Sequence, residues 1–538
     1  MFFHVMAHNS MKQKKRFNMR VILLFLLLAI AIPAIANDDF DWNTIDRMGL
    51  YDRKHDSQIK RNIWDDYSQE QAIQALNILP NKLTSPSYRE LAKRLLLSDA
   101  PKSKDDIDSP ALLAKRLEKL ISFGFLMEAT ELYQKAKDSG DLPDNFELSM
   151  IDVQLTLANG ALAPVCLDVQ ASSSAFRDMP AWRELSNFCR LRFGSSEKIK
   201  LSDLKFENAP DLKNVLESDS IAIDTPQSNL GILVAFSDKR ISDASYNAKA
   251  NMAYNMPDLT IKMALNNAYV QNKTYQCYAI EAAKRGMIDT TELSNIYTNA
   301  KFSDETLSSD GGEITLHPCH IPAYFYQRLQ KDEESHKEQL VNTLLSATTA
   351  LPAYALSPMV DMIANNALPN NQWRASIILG ALEKSIPDSF ESNVEPLDSL
   401  SKNESLREKT FTEWLKNDIH QNIIKKNNID LALLPYISSS LTSDNGNFTN
   451  NRKNNEYGKL FSLTYGKKSL YLGLGFNDYT ETAYHNDDHV KVITSLLTLA
   501  AETDVKNFNP YDLSVILSGL KAYKLEKKAV ALVFEYLQ

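Results

Sequence analysis

Glycine is scarce in this chain, at 16 residues in 538. Sheet proteins need glycine in tight turns and β-branched residues in their strands, so this scarcity, beside abundant Leu, Ala and Lys, excludes a sheet-rich architecture and favours helices. Long apolar runs are also missing after residue 36: no later segment approaches the roughly 18 apolar residues of a membrane span, so no integral membrane segment is expected there. Blocks of Lys and Arg interleaved with aromatics are absent as well. With 59 basic against 68 acidic residues, the chain gains nothing electrostatically from phosphate backbones, which excludes nucleic acid as a partner. Cysteine is limited to Cys166, Cys189, Cys277 and Cys319.

The first 36 residues read as a cleavable secretory signal. Lys12, Lys14, Lys15, Arg16 and Arg20 form a basic region without acidic residues, a 12-residue apolar run covers 21–32, and Ala34-Ile35-Ala36 supplies the small-x-small cleavage pattern. Twelve helical residues reach roughly 18 Å, short of the ~30 Å hydrocarbon core, so cleavage after Ala36 is the expectation rather than permanent anchoring. Asn37 stands where a lipid-anchored protein would need cysteine. Cleavage removes five basic residues and leaves 54 against 68 acidic ones, a formal charge of −14. The expected location is the periplasm or the exterior, and the acidity reads as ordinary solubility.

Helical periodicity then dominates. Leu112, Leu113, Leu117, Leu120 and Ile121 recur at three- and four-residue steps, Gly124 interrupts them, and Ala129, Leu132, Tyr133 and Ala136 resume the pattern as the second arm of a hairpin. A second pair places Phe146, Met150, Val153 and Leu157 before Gly160, and Leu162, Val165, Cys166 and Val169 after it. A third helix carries Trp182, Leu185, Phe188, Cys189 and Leu191 up to Gly194. The breaks at Gly124, Gly160 and Gly194 lie 36 and 34 residues apart, close to the tetratricopeptide period. The expectation is an all-α, TPR-like superhelical array (an α-solenoid): an N-terminal helical segment over 37–109, hairpins over 110–205, a central array over 206–384 and a C-terminal region over 385–538 with polar loops. Within the last two, helices are expected over 275–285, 291–299, 336–349, 373–382, 408–425 and 512–537; loops are expected over 102–109, 385–403 and 438–455, and strand only over 468–476, where Leu470, Leu472 and Leu474 alternate.

Several strings are packing motifs: Trp64 with Leu79-Pro80, Ser85-Pro86, Arg89 and Lys93-Arg94-Leu95-Leu96-Leu97-Ser98; Trp182-x-x-Leu185-x-x-x-Cys189; Arg285-Gly286 with Leu293, Tyr297 and Phe302; and Val515, Leu520, Leu525 and Ala529. Together they resemble a group of secreted α-helical repeat proteins of alphaproteobacteria with no established activity. The resemblance spans most of the chain and implies export and a helical array, but no catalytic residues. The Asn- and Lys-rich loops, above all 438–455, depart from it.

No string carries a recognisable chemistry, so no catalytic, cofactor-binding or metal-binding residue is assigned. His317-Pro318-Cys319-His320 groups metal-ligand types, but Leu316 stands where haem attachment needs cysteine, and Cys319 has a better use in a disulfide. His485 and His489 form an i, i+4 pair without the intervening Glu of a zinc protease, and the segment reads as a solvated helix start capped by Asn486 or Asp487. Gly473-Leu474-Gly475 lacks the third glycine of a dinucleotide loop. Glu334-Ser335 and Glu404-Ser405 lack the glycine-rich sequence that follows the catalytic glutamate of lytic transglycosylases. The stripe Trp182, Leu185, Phe188 and Cys189 reads as core packing rather than a partner groove, and Trp42, among Asp38, Asp39, Asp41 and Asp46, as a partner contact or lead-in.

Four cysteines permit three pairings. Cys166 and Cys189 lie on consecutive helices either side of a polar turn, with Cys189 on the apolar face, so Cys166–Cys189 is expected, leaving Cys277–Cys319. The function expected is a non-enzymatic scaffold or adaptor for protein or peptide partners of the cell envelope. The alternative is an envelope enzyme acting on peptidoglycan through carboxylates that converge only in three dimensions.

Overall fold

The structure, a computed structural model, describes most of residues 41–384 and part of 490–537. Among these, helix dominates and strand is confined to one two-residue parallel pairing, Ile221–Ala222 with Ile241–Ser242. The fold is all-α. The strand therefore sits away from 468–476, which lies outside the described residues, as do 408–425, the expected loop 438–455, His485, His489, Glu404 and the expected leader.

Both expected hairpins form: α1 (Gln69–Asn77) and α2 (Pro86–Leu97) precede the first, made of α3 (Ala111–Ser122) and α4 (Leu126–Asp138), and the second is α5 (Phe146–Ala158) with α6 (Leu162–Ala171). After them come α7 (Pro180–Phe193), α8 (Pro210–Glu217), α9 (Asn229–Ser237), α10 (Asp258–Asn266), α11 (Tyr275–Lys284) and α12 (Thr290–Thr298). The series continues with α13 (Ile321–Lys331), α14 (Glu334–Ala347), α15 (Val360–Asn366), α16 (Gln372–Ala381) and α17 (Glu526–Leu537). The helical pattern expected over 512–537 is interrupted: the chain turns at Tyr523, and α17 begins at Glu526.

The helix starts follow capping chemistry. Ser68 and Gln71 form a capping box at α1, Asp289 and Glu292 another at α12, and the Asn145 and Ser228 side chains accept the N–H of the third residue of α5 and of α9, Leu148 and Gly231. At two helices that begin after residues whose side chains cannot cap, α3 after Pro110 and α8 after Ala209, a distant carboxylate does it. Asp46 accepts Leu112 N and Leu113 N at 2.7 and 3.1 Å at the start of α3, which follows Pro110. Glu184 accepts Asn208 N at 3.0 Å and Ala209 N at 2.6 Å ahead of α8. Both carboxylates are buried, so the free N–H groups and the helix dipole supply the partners that water would otherwise provide.

Gly124 and Gly160 close α3 and α5 in the left-handed conformation, at φ 71° and 76°. Each gives the two backward N–H bonds of a Schellman motif, Gly124 N to Ile121 O with Phe125 N to Leu120 O, and Gly160 N to Leu157 O with Ala161 N to Thr156 O. Gly194 departs from this series: it follows α7 at φ −76° and ψ 125°, in extended geometry, so the glycine period marks two hairpins and not a third. The stripe on α7 is core, with Leu185, Phe188 and Cys189 at 0% exposure and Trp182 edge-on to Phe146 and Phe176.

Successive helices pack on one another, α3 on α4, α5 on α6, α6 on α7 and α8 on α9. Other contacts span the chain. The C-terminal α17 packs against α16 and against α2, Ser87 Oγ donates to Lys528 O at 3.1 Å, and Arg94 donates to Tyr523 O at 2.9 Å. In an open array each unit touches only its neighbours; here the C-terminal helix returns to the N-terminal part. Disulfides join Cys166 of α6 to Cys189 of α7, and Cys277 of α11 to Cys319 in the 3-10 turn Pro318–His320, the two pairs expected from the sequence. No helix among the described residues is long and apolar enough to cross a membrane.

Candidate functional site

A groove of about 1390 Å³ opens where α2, α4 and the end of α5 meet α10 and the Gly286–Glu292 turn. The Gly124 turn makes it possible: the chain reverses within two residues and presents Phe125, Leu126 and Met127 at the head of α4. Phe125 is folded under the groove with the Arg89 guanidinium 4.1 Å above its ring, a cation–π contact, whereas Met127 stands 84% exposed. Beyond these apolar residues the successive turns of α4 carry Glu128, Glu131, Lys135 and Asp138 along the groove, which Lys262 of α10 and Glu292 of α12 also line.

Most groove charges with assigned contacts are held by protein. Lys93 Nζ meets Glu128 Oε1 at 2.5 Å, and Lys135 Nζ donates to Gly49 O at 2.6 Å. Burial works to raise the Glu128 carboxyl, but the Lys93 hydrogen bond and charge outweigh it and hold it below the usual glutamate range. Glu128 therefore stays ionised at neutral pH. Glu131 and Asp138 are exposed.

Beneath the groove lies a buried ion network. Asp258, fully buried at the start of α10, accepts Arg285 Nη1 at 2.7 Å, Arg89 Nη1 at 2.9 Å and the Leu83 N–H at 3.1 Å. Arg285 also donates to Glu281 at 2.8 Å, and Arg89 to Phe123 O at 2.8 Å. Burial pushes the Asp258 carboxyl up while the two guanidiniums pull it down. The network ties α2, the end of α3, α10 and α11 together at the point where Arg89 enters the groove.

A second grouping lies around the Cys277–Cys319 disulfide. His317, exposed, sets its Nδ1 3.8 Å from Cys277 Sγ and accepts the Cys319 N–H at 3.4 Å, while the His320 ring centroid is 5.8 Å from that of His317. Burial and the neighbouring His320 lower the His317 pKa. Cys277, Ile280, Cys319 and Ala355 form a small buried apolar cluster, with Leu351 against it.

No family model, curated protein or solved structure matches the chain. Of the sequence candidates, Glu334 sits exposed at the start of α14, 2.6 Å from Lys337, without the geometry of a catalytic acid. Trp42, read as a partner contact or part of a lead-in, opens a short helix, Trp42–Asp46, and is half-buried, and its acidic neighbour Asp46 is a buried cap. Sequence reasoning did not single out the groove residues. The signal available for them was Met127, an apolar residue immediately after a helix break at a position the 3.6-residue period assigns to solvent.

Proposed function

We propose that this protein is an exported, non-enzymatic scaffold of the cell envelope, built as a TPR-like array of antiparallel helix pairs, which engages a partner polypeptide in the groove beside α4. The groove carries the proposal: it is open and lined by Phe125, Leu126 and Met127 together with charges of both signs. Such a surface suits a polypeptide of mixed apolar and charged side chains rather than a compact polyanion. The two hairpins closed by Gly124 and Gly160, 36 residues apart, support the TPR-like description. Two disulfides and the basic-apolar leader support export to an oxidising compartment. The peptidoglycan-enzyme alternative needs a carboxyl kept protonated as an acid; the groove carboxylates are exposed or, at Glu128, held ionised by Lys93.

Charge placed at two exposed apolar residues tests this. Met127 lies in the groove and Leu167, 69% exposed on α6, lies outside it. Met127→Glu is expected to weaken binding of the envelope partner by at least about tenfold, near 1.4 kcal/mol, and Leu167→Glu to leave it unchanged. Equal effects from the two variants would contradict the assignment of the groove.

A further inference from the structure

We propose that Cys277, Cys319 and His317 form a redox-gated metal site: as a disulfide the cysteines exclude an ion, and as a dithiol they bind one thiophilic d10 cation through two thiolates and the His317 imidazole. The three donor atoms, Sγ, Sγ and Nδ1, lie within 4.8 Å of one another. Around a zinc-like ion with metal–sulfur bonds of ~2.3 Å and metal–nitrogen bonds of ~2.0 Å, a sulfur–nitrogen edge spans about 3.6 Å. The separation of Cys277 Sγ from His317 Nδ1 is already 3.8 Å. Nδ1 accepts the Cys319 N–H, so the ring nitrogen nearest the sulfurs is the one that carries a lone pair, and metal entry takes that lone pair by displacing the Cys319 N–H. Opening the sulfurs to an edge of about 3.8 Å is a side-chain rotation rather than a refolding.

The surroundings explain why the site has two closed states. Cys277 and Cys319 are 4% and 5% exposed, against Ile280, Ala355 and Leu351, where a free thiolate has no compensating charge. A covalent S–S bond or a bound cation removes that penalty. His317 is exposed beside them and gives an ion its route in. Pro318 opens the 3-10 turn and Pro322 lies in the first turn of α13, which restricts the backbone holding two of the three donors. The redox step is thiol–disulfide exchange. A dithiol reductant gives up two electrons and two protons and becomes a disulfide, the Cys277–Cys319 bond becomes two thiols, and metal entry then releases those two thiol protons.

The test uses the full chain, reduced by a phosphine, desalted without oxygen, and titrated with Zn(II) or Cu(I) against a chromophoric competitor. One equivalent of ion is expected to bind the reduced chain and none the oxidised chain, and the arm that saturates first identifies the cation. Co(II) is expected to give the absorption of thiolate-to-metal charge transfer. Cys277→Ser or Cys319→Ser should abolish binding, and the double variant Cys166→Ser, Cys189→Ser should retain it. His317→Ala changes an exposed side chain and keeps the fold, so it serves if the cysteine variants fail to fold; it should weaken binding at least about tenfold, the lower bound for changes even outside the ligand shell. The proposal is overturned if the reduced chain binds no stoichiometric ion, or if binding survives His317→Ala or Cys319→Ser unchanged.

Discussion

Three donors converge on Asp258, and two of them are guanidiniums that have no solvent to turn to, so this carboxylate matters most to the residues beneath the groove. Asp258→Ala leaves Arg89 without its carboxylate partner and Arg285 with Glu281 alone, and is expected to cost about 3–5 kcal/mol in urea unfolding; a loss below 1 kcal/mol would show that the network relaxes. Lys119 is a buried cation of another kind. It is 5% exposed, donates to Leu79 O at 2.8 Å, and burial pushes its pKa down to about 8. Between pH 8 and the ordinary lysine value the unfolded chain holds a proton that the folded chain has released, so stability rises with pH in that window. The gain from pH 8 to 9.5 is about 1.5 kcal/mol at full effect, and Lys119→Met should remove it. Above pH 10 half-buried Tyr133 and buried Tyr297, whose pKa values burial raises, reverse the trend because the unfolded chain then loses protons first. Chemical denaturation of wild type and variant at pH 8 and 9.5 measures the difference. Neither site was legible in the sequence, since Lys119 occupies an ordinary helical position and Asp258 gains its partners from residues 169 and 27 positions away.

At the scale of elements, the helix ends separate what sequence patterns show from what they hide. The α3–α4 and α5–α6 hairpins were legible because apolar residues at three- and four-residue steps stop at a glycine that the structure puts at positive φ. Gly194 has the same spacing without the same conformation, so spacing alone overcounted the repeats. The helix α9 escaped notice because residues Leu230 to Phe236 are buried all round, which erases the amphipathic period. Pro318 and Pro322 concealed the start of α13. Gly286 repeats the Schellman geometry of Gly124, with Met287 N bonded to Ala282 O, but a Cβ there would come within 2.9 Å of Pro86. At Gly160 a Cβ meets nothing within 4 Å. Gly160→Ala is therefore expected to cost only the left-handed strain, about 1–2 kcal/mol. Gly286→Ala should cost on the order of 3 kcal/mol, because crowding against the first turn of α2 adds to the strain. Equal losses in thermal or urea unfolding would mean that Pro86 yields freely. Lys239 holds the same left-handed position after α9 at φ 57°, and Lys239→Gly should stabilise the chain by up to about 1 kcal/mol in the same assay.

For the whole molecule, the all-α class and both disulfides were legible, the disulfides because Cys166 and Cys189 sit on consecutive helices. The return of α17 to α2 was not, because contacts such as Ser87 with Lys528 span 441 positions and leave no periodic trace. Nor was the groove, whose lining combines residues 48–50, 89–93, 124–139, 155–159, 262–266 and 286–292. The contact of α17 with α2 predicts that the chain unfolds as a unit: removing residues 526–538 uncovers the side of α2 that meets α17, and should lower the unfolding midpoint measured by α2-specific hydrogen exchange as well as the global one. Unchanged exchange in α2 would separate the two ends. The central claim is that the groove beside α4 receives a polypeptide partner. Photo-crosslinking in the native envelope, with a probe placed in turn at residues 127, 134 and 167, tests it most directly. The account predicts one discrete adduct from 127 and 134 and none from 167; adducts of equal yield from all three, or from 167 alone, would contradict it.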